Sequence, residues 1–127
     1  MIIGIGIDAV SISEVKRYMD VFGDTFINRT FTENEVDASR SNPQPAEYLA
    51  TRFAAKEAVF KAIAHFTKDK GFDFRIVETL NEADGFPVVQ IKDKLLALTE
   101  EAGITAVHIT MTTEKDFAIA FVVAESI

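Results

Sequence analysis

The 127-residue sequence contains no cysteine, so disulfide bridges and thiolate metal sites are excluded, which fits a reducing compartment. No apolar run approaches the roughly 20 residues that a membrane-spanning helix needs. The opening MIIGIGID also lacks the basic stretch and apolar segment of a secretory signal. Basic residues are the minority, 13 against 20 acidic ones, for a formal charge of −7. Broad binding to nucleic acid needs a basic footprint and is therefore disfavoured. Tryptophan is missing, and two of only three prolines fall in SNPQP at 41–45, the one clear breaker cluster before the middle of the chain. Repeats, low-complexity tracts and charge blocks are missing too. The expectation is a single domain over 1–127, soluble and cytoplasmic, with no nucleic-acid or membrane partner.

The residues that are present suffice for one core, with a hydrophobic share of 48% near the globular norm. MIIGIGID alternates Ile3, Ile5 and Ile7 with Gly4, Gly6 and Asp8, the period of a strand. The isoleucine face is expected in the core, leaving the bare glycine face for another backbone or a ligand beside Asp8. SISEVKRYMDVFG reads as a helix with Ser11 or Ser13 as its N-cap and Gly23 as its stop. TENEVDASR starts a second helix at Thr32, with Glu35 three residues on. A long helix follows from about Ala46 to Phe66. DFRIVETL and FPVVQIK pair as strands across the Asp84-Gly85 turn, and KDKLLALTEEAG forms an amphipathic helix ended by Gly103. TAVHITM and DFAIAFVVAE close the chain as antiparallel strands. Helices and an antiparallel sheet in one domain make the class α+β.

The long helix carries the chemistry. Leu49, Phe53, Phe60, Ile63 and Phe66 form a bulky stripe at 100° per residue, and alanines fill most of the remaining circumference. Arg52 and Lys56 fall within that stripe, while Glu57 and Lys61 stand one turn apart among alanines. Buried charges are costly unless paired or serving a ligand. A bare Glu–Lys pair at i,i+4 contributes only a few tenths of a kcal/mol. The room left by the alanines tips the reading toward function. Asp8 reads alone as a helix-capping aspartate; with Glu57 it supplies the one or two carboxylates that Mg²⁺ accepts alongside substrate phosphates. His108, Thr110 and Thr112 share one face of their strand, opposite Val107, Ile109 and Met111. For His108, surface placement and ligand contact stand level. GFP at 85–87 is first of all a turn, and Gly4 and Gly6 make no dinucleotide fingerprint because no third glycine and no helix follow.

Taken together, GIGIDAVSISEVKR at 4–17, RFAAKEAVFKA at 52–62, GFP, and VHITMTTEKDFAIAFVV at 107–123 resemble the holo-[acyl-carrier-protein] synthases in order and spacing. These are the small bacterial-type phosphopantetheinyl transferases, and the resemblance spans essentially the whole chain. It implies transfer of the phosphopantetheine arm of coenzyme A to a serine of an apo acyl carrier protein, with release of adenosine 3',5'-bisphosphate. It implies Mg²⁺, or Mn²⁺ in its place, held by Asp8 and Glu57, with Lys61 as phosphate ligand or proton donor to the leaving group. Glu57, directly or through a metal-held water, is the expected acceptor of the serine proton. The resemblance makes Arg52, His108 and Thr110 coenzyme A contacts alongside Lys61, and puts Pro87 near the adenine. It also implies a phosphopantetheinyl transferase fold, with an antiparallel sheet against a long central helix. A homotrimer follows from it, each active site lying between the N-terminal strand and RFAAKEA helix of one subunit and the His108 strand of another.

Three departures from the family pattern matter. After KA at 61–62 the family has a short glycine turn, whereas this chain reads IAHFTKDKGFDF, and Lys68 or Lys70 is expected to take that phosphate contact. Glu14 stands where members often carry Arg, so docking of an acidic carrier shifts to Lys16, Arg17 and Arg29. Thr113 replaces a second polar ring or acid after the His108 segment. The competing readings are a carrier- or nucleotide-binding relative without transferase activity, and a purely structural domain whose charged helix is a salt-bridge network.

Overall fold

The computed structural model describes residues 1–68 and 72–127. Strand β1 (Ile2–Ser11) leads into helices α1 (Ile12–Phe22), α2 (Asp24–Thr30), α3 (Glu33–Arg40) and α4 (Pro45–Ile63). A hairpin of β2 (Thr79–Asn81) and β3 (Pro87–Val89), helix α5 (Asp93–Ala102), and strands β4 (Ala106–Glu114) and β5 (Phe117–Glu125) complete the chain. The main sheet has the order β1-β5-β4 with both pairings antiparallel, confirming the α+β class. Among the described residues, no helix is long and apolar enough to cross a membrane.

Local chemistry sets the boundaries. Ser11, not Ser13, caps α1 by accepting the Glu14 amide at 3.1 Å. Asp116, in the β4–β5 turn, accepts from both serine hydroxyls and from the Ser13 amide, which ties the start of α1 to the far end of the sheet. Thr32 and Glu35 form the expected capping box on α3. Gly103 ends α5 in the left-handed conformation, with φ of 75°. Helix α2 has no counterpart in the sequence reading. The two expected strands beyond the long helix shrink to three residues each, and Phe74–Ile76 forms a 3-10 turn instead. The reason lies in α4: the Lys56 ammonium takes the carbonyls of Phe74 and Val77, which therefore join no ladder.

Helix α4 lies against β1 and β5 through small residues. Ala54, Ala55, Ala58 and Ala62 on the helix and Ala120 and Ala124 on β5 are fully or almost fully buried together. A Cβ on Gly6 would stand 1.9 Å from the Ala58 carbonyl oxygen, and one on Gly4 1.9 Å from that of Ala62. The bare glycine face thus receives a helix backbone. This overturns the placement of the isoleucines in the core: Ile5 is 61% and Ile7 57% exposed, and only Ile3, at a bulge in the β1–β5 register, touches the core. Alternation defines two faces but not which one the helix covers; α4 takes the face where its backbone can come closest.

Candidate active site

The close helix–strand contact brings three of the sequence-selected residues together. Lys61 donates to the Asp8 carboxylate and to the Ile7 carbonyl, both at 3.0 Å. Asp8 leaves the strand one position after Ile7 on the face that meets α4, with its side chain 18% exposed against 51% for Lys61. Glu57 sits one helical turn before Lys61, half-buried, and no hydrogen bond holds its carboxylate among the described residues. Its pKa lies above the ordinary carboxylate value. Burial is the main cause and the negative charge of Asp8 adds to it, opposed by Lys61. Two acids that repel each other, with a lysine paired to one of them, form a site whose carboxylates suit a hard divalent ion. Mg²⁺ accepts one or two carboxylates and fills its remaining positions with water and phosphate oxygens.

The other two charges on the helix have different surroundings. Arg52 is 3% exposed; its Nε donates to the Thr79 carbonyl at 3.0 Å and its guanidinium to the Asn81 side chain at 2.8 Å. The guanidinium also lies over the Tyr48 ring at 4.0 Å. Arg52 therefore braces β2, directly across from Pro87, the register partner of Asn81. Lys56 is fully buried, 2.6 Å from Glu35, whose second oxygen accepts the Thr79 amide. Burial lowers the pKa of both cations, against the opposing pull of Tyr48 on Arg52 and Glu35 on Lys56.

His108 and Thr110 stand on the outer face of β4, with Val107, Ile109 and Met111 turned to the core as the alternation requires. His108 Nε2 is 2.6 Å from Glu125. Within one chain these two residues therefore lie on the side of the sheet away from Asp8, Glu57 and Lys61. Rows across that outer face pair His108 with Val123 and Ile5, and Thr110 with Phe121 and Ile7. Arg29 and Lys16, two of the cations expected to dock a carrier, line separate recesses. Arg29 lines a groove of about 530 Å³ together with Tyr18, Phe22, Phe26, Phe53 and Phe74. Arg17 lies 4.9 Å from the Tyr18 ring centre and 3.9 Å from Glu14, while Lys16 pairs with Asp20 beside another recess. The aromatic groove escaped the sequence reading, although Tyr18, Phe22 and Phe26 recur every four residues. Lys68 is exposed, with its amide bonded to Glu101, and Lys70 lies outside the described residues.

An α+β scaffold that confronts two acids and a lysine across a helix–strand contact suits catalysis at a phosphate ester, where metal and ammonium neutralise oxygen charge. Comparison with known proteins gives the family. Residues 4–122 match the 4'-phosphopantetheinyl transferase superfamily. The holo-[acyl-carrier-protein] synthase of Halothermothrix orenii is 39% identical over 98% of both chains. The crystal structure of the Neisseria meningitidis holo-[acyl-carrier-protein] synthase superposes with a TM-score of 0.89 at 39% identity, covering 99% of this chain and 100% of that one. A Bacillus anthracis synthase solved in complex with coenzyme A (3',5'-ADP) follows at a TM-score of 0.77 and 32% identity, over 99% and 98% of the two chains. The chain belongs to the holo-[acyl-carrier-protein] synthases, a family of phosphopantetheinyl transferase enzymes.

Proposed function

We propose that this enzyme transfers the 4'-phosphopantetheine arm of coenzyme A to a serine of an apo acyl carrier protein in an Mg²⁺-dependent reaction in the cytoplasm, releasing adenosine 3',5'-bisphosphate. The convergence of Asp8, Glu57 and Lys61 carries the reading. The serine oxygen attacks the pantetheine-side phosphorus of the coenzyme A diphosphate. A new P–O bond to serine forms as the bond from that phosphorus to the bridging oxygen breaks. Glu57 accepts the serine proton, directly or through water. Lys61, held by Asp8 and the Ile7 carbonyl, sets a positive charge beside the leaving phosphate and donates a proton to it. Asp8 and Glu57 would hold Mg²⁺, or Mn²⁺ in its place, which when bound supplies charge neutralisation for the diphosphate.

Coenzyme A contacts are proposed for Lys61, Arg52, Pro87, His108 and Thr110. Arg52 and Pro87 meet through Asn81 on the hairpin, which favours one adenine-side region. His108 and Thr110 complete the site from a neighbouring subunit in a homotrimer. The exposed apolar sheet face supports that assembly: Ile5, Ile7, Phe117 and Phe121 lie on the same side as His108 and Thr110. A patch of this kind suits a contact with another chain. Acidic carrier protein docks on the aromatic groove flanked by Arg29 and Arg17, with Lys16 on the neighbouring side of α1.

The test is the mass of apo acyl carrier protein after incubation with enzyme, coenzyme A and Mg²⁺. The expected result is the gain of one phosphopantetheine, lost in Asp8→Ala and Glu57→Ala variants that still fold. Co-elution with the carrier without a mass gain would instead make the chain a binding relative, and full transfer by the double variant overturns the metal assignment.

A further inference from the structure

The cation of the site is committed to a carboxylate that a metal would need. Lys61 Nζ donates at 3.0 Å to Asp8 Oδ1 and at the same distance to the Ile7 carbonyl. The Asp8 side chain is 18% exposed and that of Lys61 51%, so solvent reaches the pair. Burial first, then the charge of Asp8, raises the Glu57 pKa, and Lys61 opposes both; the three groups act on one another. Among the described residues no group of three or more histidine, aspartate or glutamate side chains could hold a metal. Two carboxylates leave most of the coordination of Mg²⁺ to water and phosphate oxygens.

Lys61 and a divalent ion therefore compete for Asp8. The ammonium occupies a lone pair of that carboxylate, and like charges sharing one carboxylate repel. Lys61 can give up Asp8 without being stranded. An ammonium has three donor hydrogens on a flexible stem, and the Ile7 carbonyl, fixed in β1 opposite Phe121, holds one of them.

We propose that Lys61 controls metal entry: its ammonium bars Asp8 from a divalent ion that arrives alone, and moves from Asp8 to a phosphate oxygen when the ion arrives with a diphosphate. The proposal rests on the transferase reading above. With both acids ionised, Asp8, Glu57 and Lys61 carry a single net negative charge. A dication reverses that charge and a diphosphate offsets the excess, so ion and diphosphate bind better together than apart. The ammonium released from Asp8 gains a charge-assisted bond to phosphate in its place. One side chain thus couples the two ligands, and the coupling is reciprocal.

Electron paramagnetic resonance reads Mn²⁺ binding to wild type, Lys61→Met and Lys61→Arg, with Asp8→Ala as control and thermal melts to check folding. Lys61→Met is expected to bind Mn²⁺ alone about five-fold more tightly than wild type, the scale of one solvent-accessible ion pair. Lys61→Arg keeps a cation on Asp8 and stays near wild type. Calorimetry with coenzyme A gives the opposite order: Mn²⁺ strengthens its binding less in Lys61→Met than in wild type. Mn²⁺ binding by Lys61→Met equal to or weaker than wild type, undetectable binding included, overturns the competition and makes Lys61 a brace for Asp8. An equal gain in coenzyme A binding overturns the coupling. If Lys61→Met does not fold, NMR of the wild type decides. The Lys61 ammonium resonance, assigned with Lys61→Arg, is expected to shift on addition of Mg²⁺ and coenzyme A, and an unmoved resonance overturns the release. Mn²⁺ binding by Asp8→Ala equal to wild type, or failure of the wild type to bind coenzyme A, overturns the transferase reading instead.

Discussion

Arg52 and Lys56 direct their charge inward, onto backbone carbonyls, Asn81 and Glu35, whereas Glu57 and Lys61 face the open contact with β1. Glu57 pays for its position with a raised pKa, and that shift has a sign. Above its ordinary value of 4.5 and below its raised one, the folded protein holds a proton that the unfolded chain has released. Stability therefore falls as pH rises through that window, and the penalty is complete above it. Glu57→Gln removes the penalty. At pH 7 in chelator the variant is expected to be at least as stable as wild type, with the difference vanishing below pH 4.5, while transfer is lost. Denaturation curves at the two pH values check this, and a variant less stable at pH 7 would contradict the origin of the shift. Adding Mg²⁺ should raise the stability of wild type and leave the variant nearly unchanged, since only a site that binds the folded state stabilises it.

At the scale of elements, the site depends on how closely β1 approaches α4. Gly6 has no room for a side chain, because its Cβ would meet the Ala58 carbonyl at 1.9 Å and the Ala62 nitrogen at 3.0 Å. Backbone cannot swing aside as a long side chain can, so Gly6→Ala must push strand from helix. The expected cost is about 2 kcal/mol or more, within or above the usual range for overpacking a core. Chemical denaturation measures it. Because Asp8 lies two residues along the same strand, transfer should fall further than the loss of folded protein accounts for. Activity per folded molecule equal to wild type would show that the gap between the acids tolerates a shift. The second anchoring of α4 is the Lys56–Glu35 pair, which joins α3 and the lead-in to β2 to the residue immediately before Glu57.

At the scale of the whole molecule, the outer sheet face is the feature that a lone chain leaves unexplained. Ile5, Ile7, Phe117 and Phe121 remain exposed there, beside His108 and Thr110. In the proposed trimer this face closes on neighbours and completes each site with the His108 strand. Phe121→Glu introduces a charge at its centre and is expected to convert trimer to monomer in light scattering. Transfer should fall at least ten-fold while the monomer keeps its helix content. A trimeric, fully active variant would place the interface elsewhere.

The sequence by itself determined the α+β class, the long helix with its four charges, the caps at Thr32 and Gly103, and the alternation of β4. Each of these rests on local chemistry or on periodicity along one element, both of which a single chain displays. Tertiary structure alone decided which face of β1 is buried, that Arg52 and Lys56 brace the hairpin and α3, and that Phe74–Ile76 turns instead of pairing. It also formed the aromatic groove between α1, α2 and α4. The physical reason is common to all of these: a strand pattern names two faces and a buried cation needs partners, but only the packed neighbour, brought from 20 or more residues away, supplies the covering helix and the accepting oxygen.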